Sequence, residues 1–403
     1  MLTKRYLYCL IPLSFIFLQC KPSQSVLDKV MSSSNPSIKR VRQQLKKHEV
    51  QIVLTEINTE QPTAPQLLRS SFQLDEEHYF YPASTAKLPI AALTLQKLNE
   101  LNTQGIPIKP TTAFEIRDLQ GKAIQLTDTT QREGKLTLAH LIKKIFLVSD
   151  NEAYNYLFDF LGRDYINQEL EKKGLKKTQI FHKFLFGADN IRTWEYTFFD
   201  EFGDTLHQQN SLKSKFNAEN KLSGVFKGEG FLQDGEVVKA PMDFRFKNRI
   251  SLLDLEGILM RLIYPQLFTI DQQFTLNDKD LEFLRFWMSR STLESSSPNY
   301  DDGDHWDSYG KFFIYGDQKG KMTDQIRIYN KVGYAYGTLT DVAYIHDKSN
   351  NLSFFLTATI LANENKIFND DQYEFDSIGI PFLATLGRLV LAELQHKQES
   401  VVE

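Results

Sequence analysis

The 403-residue chain is poor in cysteine: Cys9 and Cys20 are the only two, and both fall in the first twenty residues. The rest of the chain therefore has no disulfide to rely on and must hold itself together by its core. Hydrophobic residues at 41% and charged residues at 24% make such a core feasible and exclude wholesale disorder. No strong charge of one sign is present. The formal balance of −4 lacks the basic excess that nucleic-acid binding needs. No cysteine–histidine cluster has zinc spacing, and HExxH is absent, so no metal or other cofactor is expected. G-x-S-x-G is also missing, which removes the nucleophile-elbow hydrolases. There is no internal repeat.

The N-terminus carries a targeting pattern. Lys4 and Arg5 precede an apolar run from Tyr6 to Leu18, the charged-then-apolar order of a secretory signal. The run is shorter than the ~20 residues of a comfortable membrane span. Cys20 closes it and polar KPSQS follows, which resembles a bacterial lipoprotein signal in which that cysteine becomes the lipidated mature N-terminus. Gln19 departs from the small residue preferred there. The expectation is a signal over 1–20, a polar tether over 21–35, and a body outside the cytoplasm, in the cell envelope. It would touch the membrane through a lipid anchor only.

Periodicity predicts an α+β fold for residues 36–396. A basic amphipathic helix is expected over 36–48, and strands over 50–57 and 70–74. Helices are expected over 84–100, 137–147 (capped by Thr137), 152–161, 164–173, 251–263 and 279–290. Strands return at 325–331, 341–346 and 352–362, and a last helix covers 381–396 before a short tail, 397–403. Strands at both ends suit one antiparallel sheet packed with helices, with the mostly helical middle as a second lobe. Residues 187–247 read as an inserted loop region with a hairpin turning at Asp234–Gly235.

The chemistry-bearing stretch is YPASTAK, where Ser84 precedes Lys87 at the start of an apolar helix. Residues three apart share a helix face, and a neutral lysine amine there could take the serine proton if burial lowers its pKa. Backbone N–H groups at a helix start favour developing negative charge. Alone the pattern is weak, because Ser308–Lys311 repeats it in a loop-like stretch. Two further motifs follow in order: Ser149-Asp150-Asn151 between two helices and Lys331-Val332-Gly333 on a strand. S-x-x-K, S-D-N and K-T-G in that order are the signature set of class A β-lactamases and penicillin-binding proteins. The chain resembles that superfamily, the class A branch most, over about 40–175 and 249–396.

The resemblance implies roles. Ser84 would be the acylated nucleophile, Lys87 its base, and Ser149 the donor of a proton to the leaving nitrogen. Asn151 would hold substrate and Lys87, and Lys331 would face a substrate carboxylate. Gly333 belongs to the same substrate-binding strand, and the backbone N–H groups of Ser84 and Tyr334 would form the oxyanion hole. Two departures stand out. Val332 replaces the family threonine whose hydroxyl helps bind that carboxylate. The E-x-x-L-N pattern carrying the deacylating glutamate is absent; Glu195 is the nearest carboxylate in an aromatic setting. The implied function is a serine hydrolase acting on a β-lactam or peptidoglycan-like small molecule. A D,D-peptidase-like or esterase-like acyl enzyme with poor deacylation is the alternative, and a non-catalytic envelope lipoprotein the third. The acidic DDGDHWD at 301–307 is expected to be a solvated loop, and His140 and His182 structural or exposed.

Overall fold

A computed structural model describes residues 24–58, 65–124, 128, 130, 136–300 and 303–402. Cys20 and the rest of the signal lie outside them. The polar stretch expected as a tether contains a helix. Ser25 and Asp28 form a capping box that starts α1 (Val26–Ser32), whose Val26, Leu27, Val30 and Met31 are buried. Asn35 caps α2 (Pro36–Arg42), with Pro36 at the first position. The one helix expected over 36–48 is two, since Gln44 leaves helical geometry before the short α3 (Leu45–His48). The break lets Leu45 turn onto the apolar cluster that buries Ile38 and Val41.

Strands β1 (Gln51–Asn58) and β2 (Gln66–Phe72) form a hairpin. β2 starts four residues before its expected position; it is an edge strand with Leu67 and Leu68 exposed, so its alternation is weak. A 3₁₀ turn over Ala83–Ala86 leads into α4 (Lys87–Thr103). Leu88, Ile90, Ala91, Ala92 and Leu93 of α4 are all 0% exposed, so the first turns of this helix are buried on every side and lie inside the lobe. There follow β3 (Ala113–Arg117), β4 (Ala123–Ile124), α5 (Leu138–Val148), α6 (Asn151–Leu161) and α7 (Arg163–Lys172). Thr137 caps α5 as expected, accepting from His140 N at 3.2 Å.

The region read as an insertion is partly built into this lobe. Its β5 (Glu195–Phe199) pairs with β3, and β6 (Thr205–Gln209) with β5, giving a sheet in the order β4-β3-β5-β6. The short β7 (Phe226–Lys227), β8 (Gly230–Gln233), β9 (Glu236–Val238) and β10 (Met242–Asp243) follow. The β8–β9 hairpin turns at Asp234 and Gly235, with φ of 50° and 84°. Helices α8 (Leu252–Ile263) and α9 (Asp278–Ser289) complete the lobe.

The chain then returns to the first hairpin. β11 (Ile326–Ala335), β12 (Thr338–Asp347) and β13 (Leu352–Leu361) form a meander, and β13 pairs antiparallel with β1. The sheet order is β11-β12-β13-β1-β2, so strands from the two ends meet as expected and β11 is left as an edge. After β14 (Ile367–Phe368), helix α10 (Ile380–Val402) covers one sheet face with α1 and α2. The expected tail is helical through Val402. Lys397 reaches Glu56 (2.6 Å) and Gln398 reaches Asn350 O (3.0 Å), which hold the added turns.

Candidate active site

Ser84 sits in the 3₁₀ turn that begins the central helix. Ala83 before it has φ 46°, a left-handed conformation that costs a residue with a Cβ about 1–3 kcal/mol. The turn is nonetheless fixed. Thr85 bonds Pro82 O through N (3.1 Å) and Oγ1 (2.6 Å), and Ala83 is buried with Tyr79, Tyr81 and Phe244. The Ser84 side chain is half-buried; among the described residues it has no hydrogen-bond partner.

Ser149 occupies the turn between α5 and α6 with φ 56° and ψ 40°. Asp150 caps α6, accepting from Ala153 N at 2.7 Å, and pairs with Lys144 at 3.1 Å. Lys144 also pairs with Asp128 (3.0 Å), itself 3.0 Å from His140 Nε2. This chain of charges fixes the turn from behind, which makes His140 structural.

The motifs converge on two lysines. Lys87 Nζ donates to Ser149 O (2.5 Å), Asn151 Oδ1 (2.7 Å) and Ser149 Oγ (3.3 Å). Lys331 Nζ donates to Ser149 Oγ (2.8 Å) and Val332 O (2.7 Å). Both side chains are buried, at 0% and 2% exposure. Burial pushes Lys87 well below its usual pKa; the Lys331 charge adds to this and Asp150 opposes it. Burial lowers Lys331 to about 7, against the pull of Asp341. Burial therefore favours the neutral amine at both lysines.

Gly333 explains how the edge strand meets the Ser84 turn. A Cβ at this residue would lie 2.6 Å from Pro82 O and 2.7 Å from Ser84 N. No side chain fits, so β11 lies directly against the 3₁₀ turn and Ser84 N stands beside the residue that precedes Tyr334. The β11–β12 turn, Tyr336–Gly337, has φ of 51° and 73°, the two-residue hairpin geometry that glycine favours.

Over Lys87 lies a residue that sequence reading did not single out. The Phe184 ring centroid is 5.0 Å from Lys87 Nζ. Phe184 packs on Tyr154 at 4.5 Å, and its N–H donates to Asn155 Oδ1 at 2.7 Å. Among the described residues, Asp150 is the one carboxylate whose charge opposes the fall in Lys87 pKa. Glu195 does not join the cluster; it lies on β5 opposite Arg117. His182 stacks on Tyr81 at 6.2 Å and burial lowers it to about 4. The acidic stretch begins with residues outside the described ones, and among the described residues no group of three or more His, Cys, Asp or Glu could hold a metal ion.

Residues 36–219 match the model of the β-lactamase enzyme family, a segment that includes Ser84–Lys87 and Ser149–Asn151 and ends before Lys331. No curated protein matches the chain. Among solved structures, a β-lactamase from Xanthomonas campestris pv. campestris is 15% identical with a TM-score of 0.50, covering 91% of this chain and 98% of that one. One from Burkholderia phymatum is 14% identical (TM-score 0.49; 88% and 97% covered). A class A β-lactamase from Mycobacterium abscessus is also 14% identical (TM-score 0.47; 88% and 98%). Residues 36–219 thus match the β-lactamase enzyme family, and the chain as a whole has a β-lactamase-like α+β fold with both chain ends in one sheet.

Proposed function

We propose that the chain is a serine hydrolase of the class A β-lactamase type, acylated at Ser84 by a β-lactam or related amide. The observation that carries this reading is the single hydrogen-bonded cluster of Lys87, Ser149, Asn151 and Lys331 around the turn that presents Ser84. Neutral Lys87 takes the Ser84 proton as Oγ attacks the carbonyl carbon. The oxyanion meets the backbone N–H groups of Ser84 and Tyr334. As the C–N bond breaks, Ser149 gives its hydroxyl proton to the leaving nitrogen and regains one from Lys87 or Lys331, both within hydrogen-bond reach. Intact-protein mass followed over time after adding a penicillin tests this reading. A Ser84-dependent adduct supports it; no adduct and no turnover sinks it.

A second reading concerns the fate of the acyl group. An aromatic ring covers Lys87 where the resemblance leads one to look for a carboxylate. This favours a D,D-peptidase-like enzyme whose acyl group leaves slowly, on peptidoglycan-like amides. An adduct that persists for hours supports it, and an adduct that clears within seconds excludes it. The envelope location and the lipid anchor at Cys20 belong to the same proposal, supported by the signal-like N-terminus alone; metabolic labelling with a fatty acid, wild type against Cys20→Ala, tests them.

A further inference from the structure

The Phe184 ring is held over Lys87 from outside the three motifs. Residues four apart share a helix face, and Asn151, Asn155 and Asp159 form such a row along α6. Asn151 Oδ1 accepts from Lys87 Nζ, and Asn155 Oδ1 accepts from Phe184 N. At the end of the row the Asp159 carboxylate accepts from Lys183 Nζ through both oxygens, at 2.8 and 2.9 Å. Asp159 and Lys183 are 0% and 5% exposed, whereas Leu185 and Phe186, which follow the ring, are 55% and 103% exposed. The anchor of the ring therefore lies on α6 and on its N-terminal side. A buried ion pair stabilises a fold little more than apolar side chains of like volume would; what this one supplies is a fixed point beside Phe184. Burial pushes Asp159 up to about 7, against the pull of Lys183, and Asp189 adds to the rise. The charges that act on Lys87 are Lys331 and Asp150, and Asp159 is not one of them. Any effect of Asp159 on Lys87 thus passes through position and not through charge.

We propose that Asp159 is a positioning residue for acylation: its buried pair with Lys183 holds the Phe184 ring over Lys87 and keeps water off the amine. The inference rests on the reading of Lys87 as the base for Ser84. The face of a ring attracts a cation, but burial, to which the same ring contributes, acts the other way and is the largest cause of the low Lys87 pKa. Losing the ring wets the amine and raises its pKa.

The test is the pH dependence of the rate at which a penicillin forms the Ser84 adduct, followed by intact-protein mass above about pH 7, where Asp159 is charged. Wild type should reach its plateau rate at the lowest pH. Phe184→Ala should move the plateau up by about one pH unit, which is about tenfold in rate below it. Asp159→Asn should move it in the same direction, and in the Phe184→Ala background it should add less than about twofold. Asp159→Leu combined with Lys183→Met leaves no buried charge unpaired, so it keeps the fold if Asp159→Asn does not, and it should show the same shift. A plateau that Phe184→Ala or the Asp159 variants leave unmoved, or effects that multiply in the double variant, overturns the positioning role and leaves the nucleophile standing. No Ser84-dependent adduct in wild type overturns both.

Discussion

The chain contains two serine–lysine tetrads with the same spacing, and they end in opposite situations. Lys87 and Lys311 are both buried, at 0% and 3% exposure, and burial lowers both below the ordinary lysine pKa, Lys311 to about 7. Ser84 stands half-buried at the start of a helix, whereas Ser308 is 2% exposed and its hydroxyl is spent on Gln318 O. Lys311 is saturated by Met288 O (2.8 Å), Ile328 O (3.1 Å) and Asn330 Oδ1 (2.7 Å). Asn330 links it to the buried Asp341. Lys87 also has three acceptors, Ser149 O, Asn151 Oδ1 and Ser149 Oγ, but it shares the last with a second lysine. Spacing supplies the pair; the partners separate a lysine closed in by two carbonyls and an asparagine from one that shares a hydroxyl with a second lysine.

The sharpest break in this comparison is at the serines. Ser84→Ala should reduce acylation by about 10³-fold or more, while Ser308→Ala should leave it within about twofold; both are read by adduct formation on intact-protein mass. The lysines should separate activity from stability. Lys311→Met removes one of the two lysine charges that act on Asp341 and leaves Asn330 Oδ1 and two backbone carbonyls without their donor; it should cost about 1–3 kcal/mol of unfolding free energy in urea. Lys87→Met removes a buried amine whose opposing charge is Asp150. It should cost about 1–3 kcal/mol of stability through the acceptors left unpaired and lower acylation by about 10²–10⁴-fold.

A pH series extends the comparison. Lys331 and Lys311 titrate near 7 in the fold and near 10.4 when unfolded. Between those values the unfolded chain binds protons that the folded chain does not, so stability rises with pH across that window. Lys331→Met should flatten part of the rise in urea midpoints; an unchanged slope would contradict it. The smallest effect is expected at Glu195. It lies on β5 opposite Arg117, and Glu195→Gln should change the lifetime of the acyl adduct by less than about twofold.

Local chemistry made part of the molecule legible in the sequence. The apolar, β-branched runs of β1, β12 and β13, the Thr137 cap and the Asp234–Gly235 turn each depend on a few neighbouring residues, and each lies within three residues of its expected position. The lysines and the serine–asparagine turn were also legible as motifs, because their order along the chain carried the signal. Helix α1 was not, since its four buried apolar residues lie within a Ser- and Pro-rich stretch and gain meaning only against α10. Phe184 over Lys87, 97 residues away in the chain, was equally hidden. It is a product of packing between distant segments, which periodicity does not record.

Helix α1 has a further consequence, for reach. Because the body already begins at Val26, the residues between it and Cys20 number five, 21 to 25. At ~3.3–3.6 Å per fully extended residue they span at most ~18 Å. Were Cys20 lipidated, so short a leash would hold the body in the layer of solvent next to the membrane. Substrates at that surface would meet it far more often than those in free solution.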